Sequence, residues 1–302
     1  DTIVLYASAD VGTISWIDTS GTVFNTDTLY VTSPGTYTAR ATTANCETLK
    51  EIGIYEPLYV DKTTGSDLTG TGSFTLPFKT IQTGIDSASE GQKIYVLPGN
   101  YKEGELNFET SPVVFKSVYL ASDLVRLNDS SAIASTKIDA DNEEYLINIF
   151  SENSTIIQGF TLTGQESGST WQSALLSLQN GANLVFRDLV IRGNNAGSNP
   201  QESQVMNVRT YTHLVFDNVK FKNNGSSTNQ ARKTAFIYQH SSADFIDCEW
   251  QDNYGWESVV RVQDYSSAYF ENNMFLNNAG GDWGIVDMHD NGNKVVFVNS
   301  TI

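Results

Sequence analysis

Residues 183–194 read NLVFRDLVIRGN, and residues 213–224 read HLVFDNVKFKNN. The pattern returns as SADFIDCEWQDN over 242–253, SAYFENNMFLNN over 267–278 and KVVFVNSTI over 294–302, with a degenerate TIIQGFTLTG ahead of them at 155–164. Aligned on the first apolar anchor, the column is Ile157, Phe186, Phe216, Phe245, Phe270, Phe297, at steps of 29, 30, 29, 25 and 27 residues. Five residues later a second column runs Leu162, Ile191, Phe221, Trp250, Phe275, Ile302, and three residues beyond that Asn194, Asn224, Asn253 and Asn278 align. A unit of this length cannot bury its own apolar residues. Stacked coils put like on like, so the aromatic columns fill an interior and the Asn column hydrogen-bonds along the stack. The Asn column also suits turns that need a left-handed backbone. A propeller blade would need several strands per repeat, and the leucine-rich consensus is missing. The repeat therefore specifies a right-handed parallel β-helix. Cys248 falls in the column of Leu189 and Val219 and reads as a buried core residue.

A second strand precedes each anchor by eight residues, with Ile149, Leu178, Val208, Ile237 and Val262 pointing inward and Met288 continuing the row after a one-residue slip. Period-two alternation turns the flanking residues outward. One outward row is Asn148, Ser177, Asn207, Phe236, Arg261, Asp287, and the other is Phe150, Gln179, Arg209, Tyr238, Gln263, His289. Such a strip of aromatics, amides and arginines suits sugar: ring faces take C–H surfaces while amides and cations bond hydroxyls and carboxylates. The expected ligand-binding residues are Asn207, Arg209, Phe236, Tyr238, Arg261, Gln263 and His289. The expected insertions on this side, 193–204 and 225–233, are the longest loops of the repeat.

Upstream, residues 59–103 run from a strand through a Gly/Thr/Ser loop and a short helix to another strand. Pro77 suits the first helical turn, Ile81, Ile85 and Ala88 form one apolar stripe, Gly91 ends the helix, and Pro98-Gly99-Asn100 closes the strand Ile94–Leu97. The series Gly65-Ser66-Asp67, Pro77-Phe78-Lys79-Thr80-Ile81-Gln82, Gly91 and Pro98-Gly99-Asn100-Tyr101 resembles, in order, the N-terminal cap of the pectate-lyase-like right-handed β-helix superfamily. The resemblance implies a helix covering the open end of the first coil. It does not imply one activity, because the same cap precedes lyases, hydrolases, epimerases and non-catalytic surface proteins.

Residues 1–56 carry short strand-like runs at 3–7, 13–17, 28–31, 36–41 and 49–54, with Trp16 as a core aromatic and Ser33-Pro34-Gly35 as a turn. SPGTYTARATTANC resembles the last strands of immunoglobulin-like modules in large secreted bacterial surface proteins, including those exported by the type IX system. The expected architecture is thus an immunoglobulin-like sandwich, partial, over 1–56, and a β-helix over 57–302, capped at 57–103 and continuing past Ile302.

The chain has 302 residues, with 35 acidic against 18 basic side chains, a formal charge of −17. That field repels nucleic acid and anionic membrane, and it disfavours a polyanionic ligand unless cations or a local basic patch intervene. Cys46 and Cys248 form no framework, the three histidines match no zinc motif, and no apolar run is long enough to span a membrane. An Asn/Ser/Thr/Gly-rich all-β chain of this kind is expected outside the cell or at its surface, joined to further domains of the same polypeptide. The leading functional expectation is an adhesin or stalk with a carbohydrate-binding face. The alternative is a secreted lyase or glycoside hydrolase on acidic polysaccharide. Lyases of the resembled superfamily abstract a proton beside a uronate carboxylate that a cation, often calcium, neutralises, using an Arg or Lys as base. Arg209, Arg261 and Asp287 are the catalytic candidates, with Arg232, Lys233, Glu202 and Glu257 in loops around them. Asp264 and Asp287 would be the carboxylates of a hydrolase. Calcium is conceivable at Asp290–Asn293 or Asn278–Gly284, although both read equally as tight turns. Asn128, Asn153, Asn224 and Asn299 fit the glycosylation acceptor pattern.

Overall fold

The computed structural model describes residues 2–111, 114–129, 131–165, 173–194, 204–225 and 231–302. From Leu58 onward the chain winds through stacked coils. One sheet pairs, in order, Leu106–Asn107, Ile147–Ile149, Ala174–Leu178, Gln204–Val208, Ala231–Ile237 and Tyr254–Gln263, and Val286–His289 then joins the last of these. A second pairs Leu58–Val60, Lys93–Val96, Tyr119–Ser122, Ile156–Gln158, Asn183–Arg192, His213–Lys222, Ser242–Ile246, Ser267–Glu271 and Lys294–Val298. Every one of these pairs is parallel and joins neighbouring coils, which is a parallel β-helix.

The register follows the sequence columns. Phe186 pairs with Phe216, Phe216 with Phe245, Phe245 with Phe270 and Phe270 with Phe297. Their rings stack at 4.9, 5.1, 4.9 and 4.8 Å between centroids. That is close to the spacing of hydrogen-bonded strands, so the rings stack because the strands do, each pair adding about 0.5–1.5 kcal/mol beyond area burial. Phe221, Trp250 and Phe275 form a second ladder at 4.0 and 5.5 Å, meeting the first edge-on, as where Phe216 meets Phe221 at 5.6 Å. Cys248 is buried here with its thiol pushed up to about 12 by desolvation. The final members differ from expectation: Met288 holds its register opposite Val262, but it and Ile302 lie on the last coil and are exposed.

Asn194, Asn224, Asn253 and Asn278 do bond along the stack, each amide donating to the next side-chain oxygen at 3.1, 2.9 and 2.9 Å. The left-handed residue at this corner is the one before, Asn223, Asp252 or Asn277, so the Asn column closes the turn rather than making it. Another corner is made by Asp188, Asn218, Asp247, Asn272 and Asn299, all at φ between 49 and 56°, the region that short polar side chains tolerate best. Asn224 is fully buried, its Oδ1 accepting from Asn194 and its Nδ2 donating to Asn253 and to the Ile191 carbonyl. Replacing it by Ala strands these groups away from water. Asn224→Ala should lower the urea midpoint by the equivalent of about 1–3 kcal/mol, with an unchanged slope.

The cap is a helix over Ile81–Ser87, so Pro77 precedes it instead of opening it, and Thr80 is the N-cap. Ile81 and Ile85 are fully buried in the β-helix core. Asp67 of the Gly-Ser-Asp loop accepts from the Lys79 and Thr80 N–H groups at 2.8 and 3.0 Å. Burial pushes its carboxyl up, these bonds outweigh that, and the net result is a lowered pKa. The strand Lys93–Val96 ends ahead of a bend at Pro98, as expected, and Gly99–Lys102 opens a separate strand paired with Thr136–Asp139.

Residues 2–56 form antiparallel sheets: Ile3–Tyr6 with Thr28–Val31, and Val23–Phe24, Thr13–Ile17, Gly35–Thr42 and Glu47–Ile54 in that order. The strand at Val23–Phe24 was not expected, since two apolar residues give no alternation to read. Trp16 is fully buried with Leu5, Leu29, Val31 and Tyr37, a core separate from that of the coils.

Candidate functional site

The outward face of the sheet carrying Gln204–Val208, Ala231–Ile237 and Tyr254–Gln263 differs from the open strip expected. Ser177, Gln179, Asn207, Phe236, Tyr238 and Arg261 on it are all buried, with Phe150 among the exceptions. Asn207 is 1 % exposed and donates to Gln204 Oε1 at 3.2 Å.

Charge is concentrated at one place on this face. The pairing shifts between Ala231↔Gly255 and Lys233↔Ser258, which puts one extra residue into the strand Tyr254–Gln263. Bulges of this kind re-aim side chains. Glu257 lies in the shifted segment, and its Oε2 takes both Lys233 Nζ at 2.5 Å and Arg261 Nη1 at 2.8 Å. Arg261 Nε lies 3.5 Å from Asp287 Oδ2, an ion pair with no hydrogen bond, and Asp287 is in register with it on the next coil. The four side chains are 2, 3, 6 and 14 % exposed in the order Lys233, Glu257, Arg261, Asp287. Lys233 and Glu257, expected in loops, are thus strand residues in a buried chain of alternating charge.

Aromatic rings surround the cations. Lys233 Nζ lies 4.5 Å from the Phe236 ring centre, and the Arg261 guanidinium lies 4.3 Å from that of Trp283. Phe236 stacks on Tyr238 at 4.2 Å and 8°. The Tyr238 phenol is pushed up by burial, with Arg209 pulling the other way through its charge and a 3.3 Å hydrogen bond. Arg209 therefore stands beside Tyr238 and not within the Arg261 cluster. A pocket of about 340 Å³ opens here, walled by Lys233, Phe236, Tyr238, Arg261 and Gln263. Gln239 and Asp264, on the turns leaving the two strands, complete its rim.

His289 pairs in register with Gln263 and faces Trp283 at 5.5 Å and Asp290 at 3.6 Å. Trp283, read in the sequence only as part of a turn, is the ring that packs on the Arg261 guanidinium. Its signal is a large aromatic between glycines in Gly280-Gly281-Asp282-Trp283-Gly284. Asp264 and Asp287 are separated by role, one at the rim and one against Arg261. Glu202 and the side chain of Arg232 lie outside the described residues, as do 195–203 and 226–230 of the two long loops. Among the described residues no group of three or more His, Cys, Asp or Glu converges as a metal site, and Asn293 closes a turn on the His289 and Asp290 carbonyls. Asn153 and Asn224 are buried. No helix of the described residues is long and apolar enough to cross a membrane.

No protein-family model matches the chain, and no curated protein matches it. Among solved structures a rhamnogalacturonan lyase is similar, with a TM-score of 0.53 at 15 % identity, over 81 % of this chain and 62 % of that one. The chain thus matches less than two thirds of that lyase's length, and at this identity the likeness is one of fold: this chain shares the parallel β-helix of a polysaccharide lyase.

Proposed function

We propose that this β-helix works on acidic polysaccharide outside the cell, seating a uronate carboxylate at Arg261 and Lys233. The observation that carries the reading is the pair of cations held against Phe236 and Trp283 at the wall of a sugar-sized pocket. Both cations line the pocket, and each is already paired with a carboxylate, Glu257 or Asp287, whose place a uronate carboxylate would share. Residues 2–56 serve as an attached sandwich module, immunoglobulin-like in this reading, within a larger secreted or surface protein.

Between holding and cleaving, the buried charges favour cleaving. Taking ionised side chains out of water costs several kcal/mol each before pairing, a burden a plain stalk or adhesin has no reason to carry. The β-helix of a polysaccharide lyase gives the same direction. In β-elimination Arg261 and Lys233 offset the charge of the substrate carboxylate, and the proton on the adjacent ring carbon goes to a pocket base, for which the Asp264 carboxylate is available. The freed electron pair forms a carbon–carbon double bond, and the glycosidic C–O bond breaks, its oxygen leaving as a hydroxyl with a proton from water. The test is ultraviolet absorbance from unsaturated ends on polygalacturonate, rhamnogalacturonan and alginate, with and without calcium. Product is expected from at least one, falling about a hundredfold in Arg261→Lys, which keeps charge but loses the planar fork. Retention without product would restore the adhesin reading, and neither retention nor product would remove a role with acidic polysaccharide.

A further inference from the structure

Five residues upstream of each Phe anchor a further column runs along the coils: Glu152, Gly181, Tyr211, His240, Tyr265, Gly292. The three rings stack face to face, Tyr211 on His240 at 5.1 Å and 6°, and His240 on Tyr265 at 5.5 Å and 11°. Unlike the interior ladders, this stack is in solvent, with Tyr211 70 % and Tyr265 64 % exposed.

Its backbone is strained. Tyr211, His240 and Tyr265 have φ of 60, 61 and 56°, and the residue before each, Thr210, Gln239 and Asp264, is left-handed as well. The preceding coil makes the same turn with Asn180-Gly181, the residues for which this geometry is cheapest. Bulky rings adopt such a turn at greater cost than Asn-Gly does. Three coils in succession keep it at exposed positions.

The stack is closed at one end and open at the other. A Cβ placed on Gly292 would lie 2.3 Å from the Tyr265 ring, so the chain itself covers that end. A Cβ placed on Gly181 would meet only Glu152, at 3.2 Å, and no atom of Tyr211 within 4 Å. Gly181 therefore leaves the outer face of Tyr211 uncovered, and the side chain that lies against Gly181 is Glu152. Gln239 and Asp264, which precede His240 and Tyr265, are also the rim of the Arg261 pocket, so stack and pocket adjoin.

We propose that the face of Tyr211 above Gly181 is a second sugar subsite, taking a neutral pyranose whose C–H face stacks on the ring while its hydroxyls donate to Glu152. A neutral unit is required because Glu152 would repel a uronate. The inference rests on the polysaccharide reading above and deepens it.

The test uses affinity electrophoresis of the full chain in gels holding polygalacturonate, rhamnogalacturonan or alginate. Tyr211→Ala removes the platform, and Gly181→Tyr covers it with a fourth ring while leaving the stack intact. Both are expected to weaken retention at least tenfold in rhamnogalacturonan, which contains neutral sugar, and to leave it unchanged in the all-uronate gels. A melting curve for each variant allows for the left-handed backbone at both positions. A merely structural stack would not respond to Gly181→Tyr. If both variants are retained like the wild type while Arg261→Lys is not, the subsite is wrong and the pocket stands. If Arg261→Lys is retained like the wild type and the Tyr211 variants are not, the pocket reading fails and the subsite stands. If no gel retains the wild type, both fall.

Discussion

A Phe216→Asp chain is expected not to fold. Phe216 is fully buried, sandwiched by Phe186 at 4.9 Å and Phe245 at 5.1 Å, with Phe221 edge-on. Losing the ring alone costs about 3–5 kcal/mol. The carboxylate adds several more, because nothing inside the coil can pair with it. Together these reach the whole net stability of a typical domain, about 5–15 kcal/mol. The position aggravates the loss. In a solenoid each coil is stabilised by its two neighbours, so a failure in the middle uncouples the coils on either side. Circular dichroism should show no cooperative melt for Phe216→Asp, whereas Phe216→Leu should melt cooperatively at a lower midpoint. A Phe216→Asp protein melting within a few degrees of the wild type would mean that the ladder is not the core.

The ladder was legible because burial repeats with the coil. Every coil meets the same interior, so each anchor position carries the same constraint, and a 25–30-residue step shows up as a column. Corners repeat for the same reason, although alignment places the left-handed residue one position late, since the conspicuous Asn and the residue that turns are neighbours. The cap was legible in kind but not in limits: Ile81 and Ile85 mark the buried stripe, while Pro77 suggests an earlier start than the Asp67 and Thr80 side chains set.

The site was legible only in part, because it breaks the repeat. Alternation correctly turns Phe236, Tyr238, Arg261 and Asp287 to one face and puts Arg261 beside Asp287. It gives no hint of the shifted pairing that brings Glu257 between Lys233 and Arg261, since an inserted residue disrupts the alignment that would reveal it. Nor does it show that the strip is buried. The Tyr211, His240, Tyr265 column was present at the anchor's own spacing, but a search for apolar columns passes over one that contains His and is bounded by glycine.

Glu257→Ala should cost about 3–5 kcal/mol, the second largest effect, because it leaves Lys233 and Arg261 buried with their shared carboxylate gone. Arg261 keeps Asp287, but only at 3.5 Å and without a hydrogen bond. Stability alone cannot say why the charges are there, since a buried pair replaced by apolar residues of similar volume is often as stable or more so. The decisive comparison is therefore Lys233→Met with Glu257→Leu in one chain. Its urea midpoint is expected above that of Glu257→Ala, because Lys233 is no longer left without that carboxylate and only Arg261 then relies on its 3.5 Å contact with Asp287. Retention on acidic polysaccharide and release of unsaturated ends are lost. A double variant that is stable and still binds would make the pair structural. One that is stable and inert would place the reason for burying these charges in the ligand, because only the ligand would then distinguish Lys233 and Glu257 from Met and Leu.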